Sequence, residues 1–162
     1  NDKYYYETKL ILTNLPLVSI KSDEKCSDIL EYIENELKDI VQEVLYTNNK
    51  EDDKKNMLVG INTRLQDIEP IVLSGHIDTV GADLEKYDTN PYSLVVKENK
   101  AYGLGVIDMK CFTASVIDLI DELNCKCNTY LEEGKVSPYR QFSRKRIVEI
   151  LLLYSTRACK RK

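Results

Sequence analysis

The chain has 162 residues, 43% hydrophobic and 31% charged, with a formal net charge of −4. That is enough for one ordinary domain with a real core, and no apolar run approaches the ~18–20 residues that cross a bilayer. The amino end, "NDKYYYETKL", is acidic and tyrosine-rich, unlike the basic-then-apolar pattern of a secretory signal.

Residues 5–15 read as a helix, with Leu10, Ile11 and Leu15 near one face and a break expected at Pro16. A second helix is expected in "SDILEYIENELKDI". Ser27 would be its cap, and Ile29, Leu30, Ile33, Leu37 and Ile40 recur at helical spacing. "IVQEVLY" alternates like a strand, and "NNKEDDKKN" is a charged surface turn. "MLVGI" (57–61) and "PIVLSG" (70–75) are short apolar runs of the interior-strand type. "SLVV" and "AYG" form the arms of an expected hairpin around "KENK". From Met109 the pattern returns to helix, with Phe112, Val116, Leu119, Ile120 and Leu123 on one stripe. This order implies an α/β fold, a mixed sheet flanked by helices.

Ligands of α/β sheets gather at the carboxyl ends of strands, and there the chain places its single histidine, in "IVLSGHIDTVG". His76 alone is compatible with a core histidine. Asp78, two residues on, would lie ~7 Å away along a straight strand, so the chain must turn at His76 for the two groups to meet. Asp108 follows a glycine-flanked turn (Gly103, Gly105) just before the last helix, where capping of that helix is the structural alternative to a ligand role.

"LSGHIDTVG" followed by "YDTNPYSLVVKENKAYGLGVIDMKCFTA" resembles the acetylornithine deacetylase, succinyl-diaminopimelate desuccinylase and carboxypeptidase G family of dinuclear zinc hydrolases. The Gly103-Leu104-Gly105 variant and the 32-residue step from His76 to Asp108 are most similar to the acetylornithine deacetylase subgroup. The resemblance covers about residues 5–124 and implies a dinuclear-zinc peptidase-like catalytic domain, truncated here. It implies that His76 binds one zinc ion, that Asp108 bridges two, and that Asp78 orients His76 within the catalytic machinery. It further implies Zn²⁺, with Co²⁺ as a substitute, and a small-molecule N-acyl amino acid substrate such as N-acetylornithine, cleaved to ornithine and acetate in arginine biosynthesis. An aminoacylase or a dipeptidase of the same family is the alternative. Family members are often homodimers, through a dimerisation domain expected to be absent from this chain.

The resemblance also calls for a Glu-Glu pair at the end of another strand, one Glu as general base and one as ligand, and for a second histidine. Glu132-Glu133 lies too close to Asp108 and follows no apolar strand, so it reads as a solvated pair. Cys111 stands where the family has glycine after the Asp-Met-Lys, and Gly81 where it has proline. From Lys135 onward there are nine Lys or Arg and one acid, Glu149. Residues 125–162 are therefore expected to be an aberrant basic tail foreign to the fold, out-of-frame translation after a frameshift between about residues 124 and 135. Residues 1–124 would form the amino-terminal part of the catalytic domain, inactive as it stands. Alternatively the tail makes this a non-catalytic protein that binds anions, although no specific nucleic acid or membrane partner is expected. Five irregularly spaced cysteines, Cys125-x-Cys127 among them, fit reduced thiols and a cytoplasmic location.

Overall fold

Seven residues, Lys55–Ile61, make the strand around which the sheet is built, and Met57, Val59 and Ile61 alternate into the core as a half-buried strand requires. The computed structural model describes residues 15–48, 55–61, 71–132 and 150–155. In chain order the elements are helix α1 (Ser27–Leu37), β1 (Glu43–Asn48), β2 (Lys55–Ile61), β3 (Ile71–His76), β4 (Val95–Lys97), β5 (Lys100–Tyr102), helix α2 (Cys111–Glu132) and β6 (Ile150–Ser155). The main sheet runs β1-β2-β6-β3. The β1/β2 and β2/β6 pairs are antiparallel, and β6/β3 is parallel. α2 lies between β3 and β6 in sequence, so these parallel strands are joined by a crossover that contains a helix. The architecture is the α/β, mixed-sheet one expected.

α1 buries Ile29, Leu30, Ile33 and Leu37. They meet Leu17, Met57, Val59, Ile61, Ile77, Ala114, Val116, Ile117 and Ile120 in one core. Each such side chain stabilises the fold by about 1.5–3 kcal/mol. The cap of α1 is Cys26, with no side-chain cap bond, so Ser27 is the first helical residue and not the cap. The stripe expected on α2 is present at Val116 and Ile120, whereas Leu119 is exposed because Ile117 takes the inward position.

Several boundaries differ from the sequence reading. The chain is helical at Pro16 and for three residues past it, so the expected break does not fall there. Pro16 lies within the helical residues 15–19, and residues 5–14 lie outside the described residues. β1 begins at Glu43 instead of Ile40, since the Ile40 and Val41 N–H groups donate back to the Leu37 carbonyl in a tight turn. The hairpin forms as expected. Its turn is Glu98-Asn99, both at positive φ (51° and 59°), the conformation that suits two-residue hairpins.

The largest difference lies beyond residue 124. α2 runs without a break through the boundary drawn there, and Ile150–Ser155 forms a strand inside the main sheet. The run "ILLLYS" is the continuous apolar type that interior parallel strands require. Its strongly basic neighbours concealed that in the sequence. Among the described residues no helix is long and apolar enough to cross a membrane.

Candidate metal centre

Gly75 brings the two halves of the site together. A Cβ there would lie 2.7 Å from Phe112 Cδ1 and 3.1 Å from Met109 Cε, so only glycine lets the start of α2 rest on the end of β3. Gly105 does the same for the segment that carries Asp108. Its φ is +79°, and its Cα faces Thr79 Cγ2 and the Lys110 stem so closely that a Cβ would come within 2.9 Å of the former. The loop after β3 and the segment before α2 thus pack against each other at the carboxyl end of the sheet, the usual ligand edge of an α/β fold.

The chain turns after β3, as the sequence demanded. β3 ends at His76, and Asp78 turns back onto it, its carbonyl oxygen 3.1 Å and its Oδ1 3.2 Å from His76 Nδ1. The opposite ring nitrogen, Nε2, lies 2.9 Å from Asp108 Oδ1. His76 and Asp78 side chains are only 17% and 12% exposed, whereas Asp108 is 83% exposed, so the imidazole is fixed from behind and faces a carboxylate open to solvent.

Asp108 lies in the irregular turn Val106–Lys110, three residues before α2, with a non-helical backbone (φ −123°, ψ 89°), and its side chain meets His76 Nε2. The Asp108–Met109 peptide is cis. Lys110 is almost wholly buried, and its Nζ donates to the Ile20 carbonyl at 2.7 Å, tying this turn to the chain leading into α1. Burial, opposed by nearby Cys26 and Asp23, lowers its pKa to about 8.

A ring whose Nδ1–H donates to the Asp78 carbonyl presents the Nε2 lone pair to Asp108 Oδ1. Two acceptors at 2.9 Å repel unless a proton or a cation lies between them. Two atoms that each bind one tetrahedral zinc ion at about 2.0–2.2 Å stand roughly 3.4 Å apart, so the N/O donor pair suits a zinc or cobalt ion once the two atoms open by about half an ångström from their 2.9 Å contact. The fit is that of two ligands. Among the described residues there is no group of three or more His, Cys, Asp or Glu that could hold a metal.

The sheet register shows where a further donor would come from. β6 is parallel to β3, and its last residue, Ser155, is the register partner of His76. The sequence that follows, "TRACKRK", contains no carboxylate, although the end of a neighbouring strand is where the resemblance calls for the Glu-Glu pair. Glu132 ends α2, and Glu133 lies outside the described residues. The apolar run Ile150–Tyr154 is the sequence signal that marks this strand.

Residues 72–128 match Peptidase family M20/M25/M40. Over a longer stretch the chain is similar to acetylornithine deacetylases. It is 29% identical over 156 residues to the acetylornithine deacetylase of Buchnera aphidicola subsp. Acyrthosiphon pisum (strain APS), covering 90% of this chain and 40% of that protein. It is 44% identical over 54 residues to the enzyme of that name from Pasteurella multocida (strain Pm70), covering 33% of this chain and 14% of the relative. The crystal structure of human carnosine dipeptidase 1 has the same fold over 93% of this chain and 32% of its own length, with a TM-score of 0.70 at 16% identity. The chain thus spans 40% or less of the length of these relatives.

Proposed function

We propose that this chain carries the two-ligand half of a metal-dependent amide hydrolase centre of the acetylornithine deacetylase kind. The supporting observation is the approach of His76 Nε2 to Asp108 Oδ1 at 2.9 Å, with Asp78 behind the ring. In this reading His76 and Asp108 hold the cation, and Asp78 positions the imidazole, fixing its tautomer. A bound zinc or cobalt ion supplies a Lewis acid that polarises an amide carbonyl and acidifies water. The substrate is an N-acyl amino acid, N-acetylornithine first among the candidates, and the products are the free amine and a carboxylate.

The same geometry limits activity. A complete structural zinc site is worth roughly 10–16 kcal/mol. Two ligands retain about half, which corresponds to dissociation constants between roughly hundreds of µM and µM. The described residues near His76 offer no general base besides Asp78, which is engaged with the ring, and loss of a base costs a further ~10²–10⁴-fold in rate. In this reading the chain alone is an inactive portion of such an enzyme.

The test is hydrolysis of N-acetylornithine, a panel of other N-acetyl amino acids and dipeptides, with Zn²⁺ or Co²⁺ added. No turnover is expected from this chain. Robust turnover lost in His76→Ala would overturn the inactivity, and robust turnover retained in His76→Ala would overturn the site assignment.

A further inference from the structure

Four buried side-chain oxygens lack a hydrogen-bond partner among the described residues, and three of them, Ser22 Oγ, Asp78 Oδ1 and Thr79 Oγ1, belong to one place. The Thr79 N–H donates to the Ser22 carbonyl at 3.1 Å, which brings the loop before α1 against the residue that follows Asp78. The Cys26 thiol reaches the same carbonyl at 3.7 Å. Ser22 is fully buried. Its carbonyl is thus committed while its hydroxyl is not.

Chemically the three groups are complementary. Ser22 and Thr79 each bring a hydroxyl that rotates to suit its surroundings and can donate, and an ionised Asp78 can only accept. A buried carboxylate oxygen without a donor is strongly disfavoured, and a shared internal water is the usual bridge where direct contact falls short. We infer that Ser22 is a positioning residue: together with Thr79 its hydroxyl holds Asp78 Oδ1 across one buried water, and so fixes the plane of His76 and the direction of Nε2. Asp78 Oδ1 lies 3.2 Å from His76 Nδ1, so any swing of the carboxylate is passed to the ring. This deepens the metal-centre reading, on which its consequence for cation affinity rests.

The chain has one histidine, so its two ring ¹⁵N resonances report the device without ambiguity. They are to be measured without metal at about pH 8.5, where an ordinary imidazole is neutral, and Co²⁺ affinity is to be measured beside them. Ser22→Ala should move both ring resonances and weaken Co²⁺ binding about 3- to 10-fold, somewhat less than the ~10–100-fold typical of a direct partner of a ligating histidine. Thr79→Val, which keeps shape and loses the hydroxyl, should act in the same direction, and Ser22→Thr should restore the wild-type ring signals. A purely structural Ser22 would lower the melting temperature and leave the ring signals in place. Unchanged ring resonances in folded Ser22→Ala, or in Thr79→Val should the former not fold, overturn the inference. If the wild-type chain binds no Co²⁺ at all, the metal-centre reading fails, and the metal-free resonances still decide the role of Ser22.

Discussion

Replacing Gly105 by alanine perturbs the site at its hinge. The residue sits at φ +79°, where an L side chain costs about 1–2 kcal/mol. The added Cβ would also meet Thr79 Cγ2 at 2.9 Å and Lys110 Cδ and Cγ at 3.1 and 3.2 Å. Lys110 cannot give way easily, because its Nζ is held on the Ile20 carbonyl and its N–H on the Gly105 carbonyl at 2.7 Å each. Overpacking of this kind costs typically 1–3 kcal/mol. The sum, about 2–5 kcal/mol, is a large share of the ~5–15 kcal/mol that stabilises an ordinary domain. At a urea m-value of roughly 2 kcal/mol/M it lowers the unfolding midpoint by about 1–2.5 M. Gly81→Ala is the matched control: its Cβ would meet only Asp23 Oδ2, at 3.7 Å, and Gly81 has no positive φ. Urea unfolding followed by circular dichroism should separate the two variants clearly. A Gly105→Ala midpoint within experimental error of the Gly81→Ala midpoint would refute the reasoning.

Asp78→Asn should leave the fold intact and weaken Co²⁺ binding about 10–100-fold, measured by equilibrium titration, because it removes the charge behind the ring. Lys110 governs a pH dependence. Its folded pKa of about 8 lies below the ordinary lysine value of 10.5, so folded chains lose this proton first as pH rises. The penalty for burying the charge is present in full below pH 8 and is relieved between pH 8 and 10.5, so stability should rise across that window by about 1–2 kcal/mol from this group. The contribution should vanish in Lys110→Met, as read by urea unfolding at pH 7.5 and 9.5.

The parts of the molecule that sequence made legible are those whose signal is local. The stripe of α1 is a simple 3.6-residue repeat, and Met57, Val59 and Ile61 alternate cleanly into the core. His76, Asp78 and Asp108 stand in two short motifs, and the structure brings all three side chains together. What was hidden depends on distant partners. β6 finds its place only through pairing with β2 and β3. Asp108 precedes a helical pattern and so looked like a cap, yet contacts around Gly105 hold it in a non-helical turn. Ser22, in an unremarkable "IKSDE" stretch, gains its importance only when folding buries it against Thr79.

The central claim is that His76 and Asp108 share one cation. A Zn²⁺ titration followed through the ¹⁵N resonances of the only imidazole tests it most directly. The account predicts a saturable shift at Nε2, larger than that at Nδ1, with a dissociation constant between roughly µM and hundreds of µM, and loss of most of that response in Asp108→Ala. A ring that ignores zinc, or one that responds equally with and without the Asp108 carboxylate, would contradict it.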